Sequence, residues 1–144
     1  IDVDDEGHAV VLDYKASVSP EHELVVREEG RLGKVQTLIY AQVARRMLGL
    51  NPVGALYVCY GKRCAVTGAY DATVLESSHL PSMRHAKCEF APRDGESFAD
   101  LLDRTEEAIA RGVERMLSGD VRPDPSSPHA CTWCPVLSCA ERRA

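Results

Sequence analysis

An aspartate and a lysine lie two residues apart at the end of an apolar run. Residues 9–12 are Ala-Val-Val-Leu, Asp13 follows directly, and Lys15 comes after one further residue. Short runs rich in valine and leucine are typical of a buried strand. Because side chains i and i+2 of a strand point to the same face, Asp13 and Lys15 are predicted to share a face where the strand ends. A carboxylate beside an ammonium can bind a hard divalent cation and orient a water molecule. The alternative is an ordinary ion pair at a strand end.

A second polar pair lies within a segment that has helical periodicity. Gln36 and Tyr40 are four residues apart, so on a helix their side chains are neighbours. The helix is predicted over residues 33–48, and Gly49 suits the left-handed residue that commonly ends a helix. The pair is interpreted either as part of a site or as an ordinary helix edge. The apolar residues at helical spacing, which predict a core-facing stripe, are Val35, Leu38, Ile39, Val43 and Met47.

Three of the six cysteines are clustered near the end of the chain, as Cys131-x2-Cys134-x4-Cys139. Thiolates at these gaps can converge on an iron–sulfur cluster. Cys-x2-Cys is also half of a zinc site, and three incidental thiols are the remaining interpretation. Six cysteines without a secretory signal indicate a reducing cytoplasm. The scattered cysteines are predicted to be buried structural thiols, and they are Cys59, Cys64 and Cys88.

The remaining patterns predict an α/β domain over residues 1–122 and an extended tail over residues 123–144. Strands are predicted over residues 1–3, 9–14, 53–60 and 64–75, with a polar turn at residues 4–7. Residues 16–32 read as a polar loop and residues 76–95 as an irregular connection. Ser97 is predicted to cap a second helix, with Asp100 in its first turn, and an apolar stripe continues to Leu117. The five histidines show no ligand-like spacing to one another.

Composition is that of one globular domain with a real core, since 44% of the 144 residues are hydrophobic and 27% are charged. No apolar stretch approaches the ~20 residues of a membrane span, so no membrane association is expected. The net charge of −5 argues against a free-standing nucleic-acid binder but does not exclude a nuclease. The basic residues form either a patch beside the site or solvated faces, and they are Arg27, Arg31, Lys34, Arg45, Arg46, Lys62 and Arg63.

Taken together, these motifs resemble the RecB-like branch of the PD-(D/E)xK nuclease superfamily. The strand ending Leu12-Asp13-Tyr14-Lys15 matches that family's Asp-Tyr-Lys strand, and Gln36-x3-Tyr40 matches its helix motif. The resemblance implies a central mixed β-sheet flanked by helices, which is a restriction-endonuclease-like core. Asp13 would bind Mg²⁺ or Mn²⁺ with the backbone carbonyl of Tyr14. Lys15 would orient the attacking water, while Gln36 and Tyr40 would contact DNA or brace the site.

The cysteine tail extends the resemblance to AddB-type helicase–exonuclease subunits, which carry a [4Fe-4S] staple. Cys131, Cys134 and Cys139 would supply three ligands, with the fourth from far upstream in the full-length protein and no intact cluster in this chain. The chain lacks an initiator Met and is expected to be an excised piece of a longer protein. The family's pattern Gly-x-Ile-Asp-Arg-Ile-Asp ends where Ile1-Asp2 stands. The first metal-binding acid is therefore expected just before Ile1, with Asp2 as a possible substitute.

Three functions follow from this resemblance and from the residues. The first is a metal-dependent DNA exonuclease domain of a helicase–nuclease for double-strand-break repair, acting on a single-stranded end or unwound duplex beside a helicase domain or partner subunit. The second is a catalytically inactive DNA-binding or scaffold module of the same fold. The third is a small zinc-binding domain in which Asp13 and Lys15 are only structural.

Overall fold

The computed structural model describes residues 1–17, 35–61, 65–71, 73–74, 96–120, 122–123 and 128–140. Several predictions lie outside these residues, namely most of the 16–32 loop, the start of the first helix, the 76–95 connection, Cys64 and Cys88. The chain divides into two compact units, Ile1–Ile109 and Ala110–Ala144. The separate 123–144 tail stays a prediction.

Four strands form one mixed sheet in the order β1-β2-β3-β4. They are β1 (Asp2–Val3), β2 (His8–Lys15), β3 (Asn51–Cys59) and β4 (Ala65–Tyr70). β2 pairs with β3 in parallel, whereas β1 with β2 and β3 with β4 are antiparallel. The α/β fold with a mixed central sheet is therefore confirmed. The parallel pair places the ends of β2 and β3 at the same edge of the sheet, which is where Asp13 and Lys15 stand.

Helix α1 (Gln36–Leu48) connects the two parallel strands, and α2 (Phe98–Leu117) follows β4 in the chain. One face of the sheet forms a shared core with both helices. Its buried members are Val11, Leu38, Ala41, Ala44, Ala55, Ala69, Phe98, Leu101 and Leu102. The opposite face carries a second cluster, built on Val10, Val53, Leu56 and Val66. Since strand residues alternate between faces, Asp13 and Lys15 share the helix-covered face with Val11.

The face that α1 buries differs from the predicted apolar stripe. Of that stripe only Leu38 is buried in the described structure, together with Thr37, Ala41 and Ala44. Ile39, Val43 and Met47 are exposed instead. The small side chains on the buried face let the helix backbone lie close to the sheet. The larger apolar residues of the predicted stripe therefore lie mostly on the exposed face. The helix ends as predicted, with Gly49 at φ 67°.

Helix α2 begins with a reciprocal cap. The Ser97 hydroxyl oxygen accepts a bond from the Asp100 N–H at 3.2 Å, and Asp100 Oδ2 accepts the Ser97 N–H at 2.7 Å. This arrangement satisfies N–H groups that the first turn of a helix leaves without partners. The bonds from Ser97 hold the pKa of Asp100 below its ordinary value. The predicted cap is confirmed, although Val113, Met116 and Leu117 of the apolar stripe are exposed.

The cysteine segment begins in a short helix, α3 (Pro128–Thr132), so the predicted extended conformation is wrong there. Proline is favourable at the first helical position because it has no N–H to leave unbonded. Cys131 lies within α3 and is buried, while Cys134 and Cys139 are partly exposed. None of the helices in the described part of the chain combines the length and apolar character that a membrane crossing requires.

Candidate active site

Asp13 and Lys15 lie on one face at the end of β2, as the strand period predicts. Lys15 Nζ stands 2.8 Å from Asp13 Oδ2 in a half-buried ion pair. This oxygen is buried, and the Lys15 ammonium is its partner. Carboxylate oxygens are donors of the kind that Mg²⁺ binds, and each oxygen can accept more than one contact. Asp13 therefore has the chemistry of a hard-metal ligand.

Gln36 and Tyr40 extend this pair into a chain of four side chains. Lys15 Nζ donates to Gln36 Oε1 at 2.9 Å, and Gln36 Nε2 donates to the Tyr40 hydroxyl at 2.6 Å. The first turn of α1 positions both residues because positions i and i+4 are neighbours on a helix. The structure thus brings together the four side chains that the sequence singled out. Their catalytic roles stay a prediction.

The carboxylate of Asp13 raises the pKa of Lys15 above its ordinary value, through a hydrogen bond and then through its charge. Tyr57 and Tyr40 add smaller effects in the same direction. Lys15 is consequently a cation at neutral pH and cannot act as a general base there. Its chemistry is that of a fixed positive charge with N–H donors.

Tyr14 lies between these two residues with an exposed side chain, and the ladder shows where its carbonyl points. The Lys15 carbonyl accepts the Tyr60 N–H from the β3 side at 3.1 Å. Successive carbonyls of a strand point to opposite sides, so that of Tyr14 points away from β3. β1 pairs only with Ala9 and Val10 among the described residues. The Tyr14 carbonyl is thus outside both ladders and fits the predicted role of a metal ligand.

Tyr57 completes the surroundings of Lys15, and sequence reasoning missed it. It pairs with Asp13 across β2 and β3, is fully buried, and places its ring centroid 5.8 Å from Lys15 Nζ. Only the β3 register brings this tyrosine beside the Asp-x-Lys pair, and a local pattern carries no signal for it.

Asp2 cannot face the site in this register. It pairs with Val10, which alternation places on the face opposite Asp13. The neighbouring Asp4 is a turn residue as predicted, since Oδ1 accepts the N–H groups of Glu6 at 2.9 Å and His8 at 2.8 Å. The His8 ring bonds Oδ2 and holds the pKa of Asp4 below its ordinary value.

Asp4, Glu6 and His8 also place one candidate ligand atom each within 4.8 Å of one another. Sequence reasoning missed this group, whose signal is the alternate spacing around the turn. Its acids are exposed, and Asp4 is occupied by the turn itself. Among the described residues the sulfur atoms of Cys131, Cys134 and Cys139 do not form such a group.

The basic residues of α1 form ion pairs with acidic residues of α2. Arg45 bonds Asp103, and Arg46 bonds Glu106 at 2.6 Å. Glu106 also accepts a bond from Gln42. Arg45 and Arg46 therefore pair with acidic side chains of α2. The other basic residues of the predicted patch lie outside the described residues.

A mixed sheet with Asp-x-Lys at the end of a parallel strand, covered on one face by helices, defines a restriction-endonuclease-like nuclease core. The chain belongs to the PD-(D/E)XK nuclease superfamily, whose family model matches residues 1–139. No curated protein and no solved structure matches the chain. The superfamily prediction is confirmed, and with it a nuclease-type function of a kind that generally acts on nucleic acid with divalent metal ions. The RecB-like branch stays a prediction.

Proposed function

We propose that this chain is the nuclease domain of a helicase–nuclease that degrades DNA during double-strand-break repair, in the RecB-like branch and closest to AddB-type subunits. The observation that carries the nuclease assignment is the preassembled chain Asp13–Lys15–Gln36–Tyr40 at the end of the parallel strand pair. Geometry of this kind favours catalysis because the reacting groups need little rearrangement when substrate binds.

Asp13 and the Tyr14 carbonyl are the hard oxygen donors that would hold Mg²⁺ or Mn²⁺. Such an ion, when bound, activates water and offsets charge on the phosphate. The ammonium of Lys15 has three N–H donors. One is directed at Asp13 and one at Gln36, which leaves the third for the attacking water or a phosphate oxygen.

Gln36 acts as a brace in this proposal, because its oxygen accepts from Lys15 and its nitrogen donates to Tyr40. The Tyr40 hydroxyl has accepted that bond, so its own hydrogen can be donated to a DNA phosphate. Tyr40 is 44% exposed, which leaves it accessible. Tyr14 and Tyr60 are also well exposed at this edge of the sheet, and tyrosine rings can stack on unpaired bases. These features support DNA with a single-stranded end as the substrate.

The register of the first hairpin supports an upstream position for the other metal-binding acid. Asp2 pairs with Val10 and Val3 with Ala9. If a longer chain continued this register, the second residue before Ile1 would lie opposite Asp13. The pattern Ile-Asp-Arg-Ile-Asp, aligned so that it ends at Ile1-Asp2, places its first aspartate at that same position. The register and the family pattern both support an acid two residues before Ile1 in a longer chain.

For the tail we propose a [4Fe-4S] staple with ligands Cys131, Cys134 and Cys139 and a fourth cysteine elsewhere in the full-length protein. Three thiolates are one short of the set that a closed cluster takes. Zinc is the competing metal for the same thiols. Iron and sulfide analysis of the full-length protein, purified without oxygen, separates these two. Iron with sulfide supports the staple, and zinc alone contradicts it.

The deciding experiment compares two acids of one hairpin in the full-length protein. Single-stranded and duplex DNA, labelled at one end, are incubated with Mg²⁺, Mn²⁺ or Ca²⁺. Asp13→Asn is expected to abolish cleavage, whereas Asp2→Asn, on the opposite face, keeps it. Wild-type turnover in Asp13→Asn contradicts the proposal. DNA binding without cleavage by the wild type under all metals favours the alternative of an inactive DNA-binding or scaffold module.

A further inference from the structure

Lys15 carries the positive charge of the proposed site, yet its polar contacts within the described residues both come from flexible side chains. Lys15 itself is about one third exposed, with a side-chain exposure of 30%. Asp13 and Gln36 fix the direction of two N–H bonds, but neither restrains the aliphatic stem of the lysine. A third contact would restrict the ammonium further while water and substrate exchange around it.

Tyr57 provides such a contact from the rigid side of the site. Its side chain is fully buried, and its strand is paired on both sides, with β2 at Asp13 and with β4 at Thr67. The ring centroid lies 5.8 Å from Lys15 Nζ, within the ~6 Å over which an ammonium is attracted to an aromatic face. A buried tyrosine in the middle of a sheet can adopt few side-chain conformations, so its ring stays in a nearly fixed position.

Resting on the proposed nuclease function, we infer that Tyr57 is a positioning residue for Lys15: the buried ring on β3 holds the ammonium at the point where its third N–H meets the substrate. Tyr57 touches neither metal nor DNA in this role. It acts on the reaction only through the lysine, and any effect of the ring must disappear when the lysine is absent.

Nuclear magnetic resonance tests this position without any need for cleavage. The ε-methylene signals of Lys15, assigned by their loss in Lys15→Arg, are expected upfield of free lysine because of the ring, with contacts to the Tyr57 ring protons. Tyr57→Phe keeps the upfield shift, and Tyr57→Leu loses it. Tyr70→Leu, the same change on the opposite face of the sheet, leaves it in place. A folded Tyr57→Leu variant with unmoved Lys15 signals overturns the inference.

Folding of each variant is checked by circular dichroism. If Tyr57→Leu does not fold, the test uses the wild-type protein only. Absence of NMR contacts between the Lys15 ε protons and the Tyr57 ring protons then overturns the inference. Cleavage supplies the second arm. Tyr57→Leu is expected to lower kcat by roughly 3- to 30-fold with KM unchanged. In a Lys15→Ala background the same change is expected to have no further effect.

The two arms separate this inference from the nuclease proposal. If the wild-type protein does not cleave DNA but the Lys15 signals are still shifted upfield by Tyr57, the contact between Lys15 and Tyr57 is supported and the nuclease proposal is contradicted. If the protein cleaves DNA but Tyr57→Leu lowers the cleavage rate further in the Lys15→Ala background, the nuclease proposal is supported and the positioning role of Tyr57 is contradicted.

Discussion

At the scale of single residues, Lys15 is the centre of the site because it contacts three other members, each through a different kind of interaction. It pairs with the Asp13 charge, donates to the Gln36 amide and lies over the Tyr57 ring. Its raised pKa keeps it protonated, and its role is therefore electrostatic. Substitutions of Lys15 and its neighbours can therefore distinguish the effect of its charge from the effect of its hydrogen-bond geometry.

Lys15→Ala is expected to lower single-turnover cleavage by roughly 100-fold, because a fixed positive charge near the phosphate is lost. Lys15→Arg keeps the charge but changes the donor geometry, and an intermediate rate is expected. The measurement is the rate with enzyme in excess over end-labelled single-stranded DNA. A near-wild-type rate for Lys15→Ala would remove this residue from the mechanism.

Gln36→Leu is expected to lower the same rate roughly tenfold, since Lys15 loses an acceptor and Tyr40 a donor while the helix keeps its shape. Gln42→Leu, the same substitution on the same helix, serves as the control because Gln42 bonds Glu106 of α2 and not the site. Equal loss in both variants would indicate damage to α1 and not to the site.

The resemblance to the nuclease family singled out four residues, and local periods explain why they lie together in pairs. The strand period places Asp13 beside Lys15, and the helix period places Gln36 beside Tyr40, so each pair depends on its own segment only. Tyr57 could not be predicted in this way. Its place depends on how β3 pairs with β2, and pairing joins residues that are far apart in the chain.

At the scale of elements, the boundaries followed from capping chemistry. Ser97 and Gly49 mark helix ends that the structure confirms. The buried face of α1 did not follow, because the sequence shows which residues are apolar but not how near the sheet lies. The alanines that permit the close contact are less apolar than the exposed Ile39, Val43 and Met47, and a hydrophobic pattern therefore chose the wrong face.

Ser97→Ala is expected to lower the free energy of unfolding by about 1 kcal/mol, since an N–H of the first turn of α2 loses its acceptor. Urea denaturation followed by circular dichroism measures the change. Ser118→Ala, beyond the other end of the helix, is the control, and a smaller loss is expected there. No difference between the two would show that the cap does not stabilise α2.

Glu106 makes the stability of the helix pair depend on pH. The hydrogen bond from Arg46, with a further bond from Gln42, holds the pKa of Glu106 below its ordinary value. The folded state therefore binds this proton less readily than the unfolded state. The stabilisation is complete above the unfolded pKa of about 4.3 and is lost as the pH falls through the lower, folded value.

Urea midpoints measured from pH 6 down to pH 3 are accordingly expected to fall less steeply for Glu106→Gln than for the wild type. Glu114→Gln, an exposed position farther along α2, is the matched control and should follow the wild-type curve. A Glu106→Gln curve that runs parallel to the wild type would show that the contact with Arg46 contributes nothing measurable.

At the scale of the whole molecule, the chain carries a net charge of −5 and Arg46 is paired with Glu106, so Arg46 is not expected to contact DNA phosphates. Removing the pair with Arg46→Gln and Glu106→Gln together leaves the net charge unchanged. The salt dependence of binding to single-stranded DNA, measured with Ca²⁺, should then match the wild type. Lys15→Gln should lower the slope of log Kd against log salt by about 0.7, the value of one phosphate contact. A lower slope in the double variant would place Arg46 at the DNA.

The turn at residues 4–7 lies at the end of β2 far from the proposed catalytic side chains, yet it sets which residues of β1 can face them. Asp4 closes the turn through its bonds to two backbone N–H groups, and Gly7 adopts φ 83°, which favours glycine. Turn length fixes hairpin register, and a shift by one residue exchanges the two faces of a strand. Under the proposed function, the face that a β1 acid presents to Asp13 therefore depends on whether the number of turn residues is odd or even. One inserted residue would turn an upstream acid away from Asp13, and a second would return it to the same face, one step along the strand.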